Sequence, residues 1–286
     1  MSKPAAADLI AQATKMLAAA GISDANYDAK QLLAAVVSPR DASGLSLECL
    51  AIAAEDQARF QTLVARRLRR EPLQHIVART TILDLDVKTD SRALIPRQDS
   101  AAIVLLAETC LHQHQNARIK IADLGTGGGV LLAECLQRFP QATGVAVERS
   151  AQAMALAQEN FADHNFTARV DFHHGSWAIW RGWSDCDLIL SNPPYIRSDQ
   201  IASLAPEVRE YDPLEALDGG PDGLDAYREI ISLASAQMSD GAVLVFEIGY
   251  DQKEAVSALL RQSGFGQLKH RQDLGGHDRA IAAIKT

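Results

Sequence analysis

Cysteine is scarce in this chain, and the four present stand far apart. Cys49, Cys110, Cys135 and Cys186 form no C-x-x-C pair and have no histidine at ligand spacing, which argues against structural zinc and against a disulfide framework. His173-His174 is the one adjacent histidine pair. Neighbours in a strand point to opposite faces, so the pair reads as a strand end rather than a metal site. Basic charge is short as well: 28 Lys and Arg stand against 36 Asp and Glu, for a net charge of −8. That balance argues against a broad DNA-binding face, because neutralising phosphates takes clustered cations. No apolar run approaches the roughly 20 residues that span a bilayer, and Met1-Ser2-Lys3-Pro4 lacks the apolar core of a signal peptide. The expectation is a cytoplasmic protein with no metal centre.

One basic run breaks the acidic pattern: Arg66-Arg67-Leu68-Arg69-Arg70. It reads first as a solvated helix end, where cations suit the helix dipole. A second reading makes Arg66, Arg67, Arg69 and Arg70 a weak contact for ribosomal or tRNA-like RNA.

At 286 residues the chain exceeds a typical single domain, and two styles of sequence meet near residue 90. The first part reads as helices. Leu9, Ala13, Met16 and Ala20 form one apolar stripe closed by Gly21, a second helix covers about Tyr27–Val37 and stops at Pro39, and a third runs through Ala51–Arg69 with Phe60, Leu63, Val64 and Leu68 inward. Thr80–Lys88 alternates and is rich in β-branched residues, as a short hairpin would be. From about 116 onward strands and helices alternate, the pattern of a doubly wound α/β sheet. Helices are predicted near 130–138, 150–162, 224–238 and 252–263, and strands near 119–124, 143–147, 168–172, 187–191 and 241–248. Gly266–Leu274 and Arg279–Lys285 have only Gly275-Gly276-His277-Asp278 between them, which predicts a terminal antiparallel hairpin at the sheet edge. The division expected is a helical domain over 1–78, a β-hairpin linker over 79–92 and an α/β domain over 93–286.

Two motifs carry the chemistry. Asp123-Leu124-Gly125-Thr126-Gly127-Gly128-Gly129 follows a strand and precedes a helix, the order of a nucleotide site, where glycines permit positive φ and close approach of a ligand. A dinucleotide fingerprint is G-x-G-x-x-G; here the third glycine arrives one residue early and Val130 follows it. Glu148 ends the next strand, where a carboxylate takes the ribose hydroxyls; alternatively it only begins the helix that Ser150 caps. The second motif, Asn192-Pro193-Pro194-Tyr195, leaves the apolar strand Asp187-Leu188-Ile189-Leu190-Ser191. Consecutive prolines fix φ and donate no N–H. The loop is therefore stiff and rich in acceptors, with an Asn amide at one end and an aromatic ring at the other. It suits a planar group bearing an NH2, whose hydrogens the Asn192 oxygen and a proline carbonyl accept while Tyr195 covers its face. Trp177 follows the third strand and either lies against a cofactor ring or packs in the core.

The chain resembles the bacterial peptide chain release factor N(5)-glutamine methyltransferases. The resemblance rests on Glu71-Pro72-Leu73-Gln74-His75-Ile76, Leu94-Ile95-Pro96-Arg97, the glycine loop, Asn192 to Ile196, the block from Asp212 to Leu224, Phe246-Glu247-Ile248-Gly249, and Asp273 to Arg279. It implies an S-adenosylmethionine (SAM) methyltransferase with a Rossmann-like catalytic domain, a helical N-terminal domain that recognises the release factor, and methylation of the Gln in a Gly-Gly-Gln tripeptide. Carried over, it implies SAM contacts at Gly125, Thr126, Gly127, Gly128, Gly129, Glu148, Trp177 and Asn192. It also implies substrate contacts at Asn192, Pro193, Pro194 and Tyr195, with Asn192, Pro193 and Tyr195 catalytic. The chain departs from that family where Glu148 replaces Asp, where Ser176 replaces an acidic residue, and at Gln98-Asp99-Ser100-Ala101, where Pro and a Thr-Glu pair are usual. Other readings stand beside it: methylation of a ribosomal-protein glutamine, methylation of the adenine amino group of DNA, and a SAM-binding relative without activity.

Overall fold

The computed structural model describes residues 5–37, 50–114 and 117–286, so Met1 to Pro4, Pro39 and Cys49 lie outside the described residues. The chain divides into two compact units, one of residues 1–79 with 205–211, the other of residues 80–204 with 212–286.

The first unit is helical: Ala6–Ala19, Ala25–Ala34, Ala54–Leu68 and the short Leu73–Val77, joined by Pro206–Arg209 from the middle of the chain. Its core is Leu9, Ile10, Ala13 and Leu17 against Ala29, Leu32, Leu33, Phe60, Val64 and Ile76. The first apolar stripe is thus turned from the one expected, since Leu17 is fully buried and Met16 is 43% exposed. Leu63 and Leu68 are only partly buried.

The basic run is not simply a solvated helix end, because three of its arginines are engaged within this unit. Arg67 is buried, its Nε 2.7 Å from Asp28 Oδ2 and its Nη1 3.0 Å from Glu207 Oε1. Arg70 Nη2 reaches Glu207 Oε2 at 2.7 Å, and its Nη1 donates to the carbonyls of Ala20 and Gly21. Arg66 Nε donates to Glu71 at 2.9 Å. Of the four guanidinium-bearing residues Arg69 alone is exposed, so three of the four charges already face carboxylates.

In the second unit a seven-stranded sheet has the order β5-β4-β3-β6-β7-β9-β8. Its strands are β3 (Lys120–Leu124), β4 (Thr143–Glu148), β5 (Val170–His174), β6 (Leu188–Ser191), β7 (Val243–Glu247), β8 (Phe265–Gln272) and β9 (Asp278–Lys285). The five from β3 to β7 pair in parallel, β9 runs antiparallel to β7, and β8 runs antiparallel to β9. The doubly wound sheet and its terminal hairpin are therefore as expected. Helices Val130–Arg138, Ala151–Asp163, Asp225–Gln237 and Lys253–Gln262 cover its faces, which explains why the central strands read as continuous apolar runs. From β3 the chain winds outward to β4 and β5, then returns to β6 on the other side of β3. Ligands bind at such a switch point, beyond the carboxyl ends of the strands.

Helix Ala101–Cys110 has no counterpart in the sequence reading. It is buried at Ala102, Ile103, Val104, Leu106 and Ala107, so it shows no polar face to mark a helical period. The remaining pair, β1 (Arg79–Ile82) and β2 (Leu85–Lys88), is no free tether. Ile82, Leu85 and Val87 are buried in the same cluster as Leu131 and Phe161. The Glu134 carboxylate accepts the N–H groups of Asp84 and Leu85, and Asn160 Oδ1 accepts that of Lys88 at 2.8 Å.

Candidate active site

The glycine loop begins where β3 ends. Gly125 N–H and Thr126 N–H both donate to the Val147 carbonyl, at 2.8 and 3.1 Å, which folds the loop over the end of β4. Gly125, Gly127 and Gly129 have φ of 71°, 55° and 83°, a region that favours glycine. Their surroundings differ. A Cβ on Gly129 would lie 2.9 Å from the Phe161 ring, so this glycine serves helix packing, whereas one on Gly127 would meet nothing nearer than 3.9 Å. Asn160, fully buried, donates to the Gly128 carbonyl at 2.9 Å and braces the loop from behind. Below the loop the fully buried Asp123 accepts from Thr126 Oγ1 at 2.7 Å. Burial pushes its carboxyl up to about 7, against the pull of that hydroxyl.

Glu148 ends β4 with both carboxylate oxygens oriented by backbone. Oε2 accepts from Gly127 N–H at 2.9 Å and Oε1 from Ser150 N–H at 2.8 Å, while Ser150 Oγ caps its helix by accepting from Ala153 N–H. The carboxylate thus lies at the start of the helix that Ser150 caps and also lines the cavity described below. A carboxylate has about four acceptor sites, so two N–H bonds leave capacity for a ligand.

Asn192 and Pro193 follow β6, whose last residue, Ser191, donates from Oγ to the Leu124 carbonyl at 2.8 Å. That bond ties the ends of β6 and β3 together at the switch point. Residues 217–223 brace the loop from behind: Ile196 N–H donates to Leu217 O at 3.0 Å, and Gly219 N–H to Ile196 O at 2.8 Å. Gln252 Nε2 donates to the Tyr195 carbonyl at 3.0 Å.

A cavity of about 670 Å³ joins these parts, within the range of small-molecule sites. Its walls include Gly125, Thr126, Gly127, Gly128, Glu148 and Trp177 on one side and Asn192, Pro193 and Pro194 on the other. Ala93, Leu94, Pro96, Pro213 and Ala216 add apolar surface. Behind the Leu94–Pro96 wall the buried Asp212 accepts from Ile95 N–H at 3.4 Å, and burial pushes its carboxyl up to about 6.

Two expected site residues do not themselves line the cavity. Gly129 is not among the cavity's walls. Nor is Tyr195, which packs against the apolar cluster containing Trp183, Tyr227 and Phe246 and donates from its hydroxyl to Glu247 Oε1 at 3.1 Å. Its ring packs on that cluster and does not line the cavity. Trp177 packs on that same cluster and also lines the cavity, Cζ3 standing 3.4 Å from where a Gly125 Cβ would be. Its indole N–H donates to Glu229 Oε2 at 2.8 Å. Ser176 lines the cavity too, its Oγ accepting from Ala178 N–H. Sequence reasoning missed Asn160, Glu229, Gln252 and Gly219; only the last had a signal, as part of the block from Asp212 to Leu224.

Residues 8–77 match the family described as PrmC N-terminal domain, and residues 96–207 the methyltransferase small domain. The chain is similar to three proteins named release factor glutamine methyltransferase. The one from Caulobacter vibrioides is 35% identical over 93% of this chain and 92% of its own length. That from Geobacter sulfurreducens is 38% identical, over 93% and 91%. That from Cereibacter sphaeroides is 37% identical, over 97% and 98%. Among solved structures, the hMettl16 catalytic domain in complex with MAT2A 3'UTR hairpin 6 shares the fold, with a TM-score of 0.54 at 13% identity over 82% of this chain and 83% of that one.

Proposed function

The chain belongs to the release factor glutamine methyltransferase family, and we propose that it methylates the side-chain amide nitrogen of the glutamine in the Gly-Gly-Gln motif of peptide chain release factors. The observation that carries this reading is the single cavity walled by the glycine loop on one side and by Asn192, Pro193 and Pro194 on the other.

The residues present fit SAM. Gly127 opens to the cavity with no Cβ in the way, and Glu148 presents a carboxylate already oriented by two N–H groups. Gly125, Thr126, Gly127 and Gly128 would carry the amino-acid and ribose end, Glu148 the ribose hydroxyls, and Trp177 the adenine ring. Glu229, which holds the Trp177 indole, stands at the same wall in a chain whose Ser176 is not acidic. SAM supplies a sulfonium-activated methyl group, so the cofactor carries the hard chemistry.

The chain's task is alignment. An amide nitrogen is a poor nucleophile because its lone pair is delocalised into the carbonyl. Accepting the two NH2 hydrogens at the Asn192 side-chain oxygen and the Pro193 carbonyl turns the nitrogen's remaining face towards the methyl donor. The same acceptors bind more strongly as positive charge grows on nitrogen, which lowers the barrier. The nitrogen, once alkylated, is acidic enough to give its proton to water, so no dedicated base is needed.

The helical unit, residues 1–79 with 205–211, is assigned to recognition of the release factor, and a cytoplasmic location follows from that substrate. An RNA contact through the basic run would rest chiefly on Arg69, since Arg66, Arg67 and Arg70 already face carboxylates.

Mass spectrometry of purified release factor incubated with the enzyme and SAM tests the reading. The expected product carries one added methyl on the Gln of the tripeptide. An unmodified factor, with methyl transfer instead to a ribosomal-protein glutamine or to DNA adenine, would overturn it.

A further inference from the structure

Glu247, the last residue of β7, is a carboxyl group 2% exposed at the sheet edge that carries the site, yet it does not line the cavity. Placing a carboxyl there is expensive unless hydrogen bonds offset it. The nearby cation is turned to other partners: Arg279 Nη2 lies 3.1 Å from Asp273 Oδ2 and 3.6 Å from Asp99 Oδ2, and Nη1 donates to the Ile248 carbonyl. Glu247 Oε2 is left without a hydrogen bond, while Oε1 receives the Tyr195 hydroxyl at 3.1 Å. Burial pushes the carboxyl up from its ordinary value, although the Ser100 hydroxyl, the Arg279 guanidinium and the Tyr195 hydroxyl favour the ionised form.

Tyr195 is gripped at three points. Gly219 lies against its Cα, Gln252 holds its carbonyl, and Glu247 holds the tip of its ring. The first two fix backbone; the third fixes the rotation of the side chain. The ring follows directly on Pro193-Pro194, whose φ angles are fixed, so the orientation of the ring is passed to the turn that walls the cavity.

We propose that Glu247 is a positioning residue for methyl transfer, holding the Tyr195 hydroxyl and through it the Asn192–Pro194 turn. The proposal rests on the amide-methylation reading above. Glu247 touches neither substrate nor cofactor; it acts through Tyr195. Because its task is to accept one hydrogen bond, a neutral side chain of the same shape can perform it.

Steady-state kinetics with SAM and intact release factor, on the full-length enzyme, provide the test. Tyr195→Phe, which keeps the ring and removes the hydroxyl, is expected to lower kcat about 10-fold or more, with the KM for release factor and calorimetric SAM affinity unchanged. Glu247→Gln, which still offers an acceptor, should keep kcat within about 3-fold of wild type, and Glu247→Leu should match Tyr195→Phe. Combining Tyr195→Phe with Glu247→Leu should cost no more than either alone, as for two groups in one interaction. The proposal is overturned if Tyr195→Phe turns over normally, or if the two losses multiply in full. Should Glu247→Leu fail to fold, Tyr195→Phe and Glu247→Gln decide alone: a Gln variant as slow as Tyr195→Phe contradicts the acceptor role. A wild-type enzyme inactive on release factor overturns the functional reading and this inference with it, whereas an active wild type with an unaffected Tyr195→Phe overturns the inference only.

Discussion

Gly219 lies directly on the backbone of Tyr195: a Cβ at Gly219 would stand 2.7 Å from Tyr195 Cα and 2.8 Å from the Pro194 carbonyl oxygen. Backbone cannot yield as a flexible side chain can. The block from Asp212 to Leu224 is thus the surface against which the Asn192–Tyr195 turn is cast. Gly219→Ala should displace that turn and reduce kcat/KM about 100-fold, the scale for a 1 Å misplacement. Calorimetric SAM affinity should stay near wild type, because the glycine loop is untouched. Comparable turnover in the Ala variant would show that the turn adjusts freely.

Glu148 has a double task, accepting from Gly127 and Ser150 N–H groups while facing the cavity. Glu148→Ala should weaken SAM binding by about 1.5–3 kcal/mol, the range for hydrogen bonds to charged groups. Glu148→Gln, which keeps one acceptor, should lose less. Titration calorimetry giving equal affinity for the Ala variant and wild type would move the ribose to another residue.

Asp28 and Arg67 form a buried ion pair within the helical unit, and the partly exposed Glu207 also faces Arg67. Breaking a buried pair by removing one partner costs about 3–5 kcal/mol when the other charge is left uncompensated. Asp28→Ala should fall near the lower figure, since Glu207 still faces Arg67. Denaturant unfolding measures it; a loss below about 1 kcal/mol, the level of an exposed pair, would mean that water reaches the pair.

Asp123 links stability to pH. Its folded-state value, about 7 against an ordinary 3.8, is raised by burial, so the folded state binds its proton more tightly than the unfolded state. Its contribution is complete below the ordinary value and is lost as pH rises towards about 7. Thermal midpoints measured on the protein alone should therefore fall less with rising pH in Asp123→Asn than in wild type over that window. Parallel pH slopes for the two would contradict the assignment.

Much of this molecule is legible locally. The glycine turn, the Asn-Pro-Pro-Tyr turn and the terminal hairpin each depend on neighbours in the chain, and each is found where its motif stands. What escaped depends on distant partners. Helix Ala101–Cys110 is buried nearly all round, so no amphipathic period marks it. Asn160 looks like an ordinary polar residue within its helix, yet it joins Lys88 to Gly128. The segment 205–211 follows soon after the Asn192–Tyr195 turn in sequence but belongs to the helical unit, where Glu207 meets Arg67 and Arg70. Tyr195 was expected at the cavity because of its motif; its hydroxyl instead donates to a buried glutamate 52 residues away, a partner that no local pattern reveals.

The central claim is that Asn192 holds the amide nitrogen during transfer, and one measurement addresses it directly: single-turnover methylation of intact release factor by Asn192→Ala at saturating SAM. The expected rate is about 100-fold or more below wild type, as for loss of one preorganised polar contact, with release-factor affinity little changed because binding is spread over a larger surface. A variant that transfers the methyl group at a near-normal rate would leave the turn as a rigid strand-to-helix connection, and the chemistry assigned to it would be wrong.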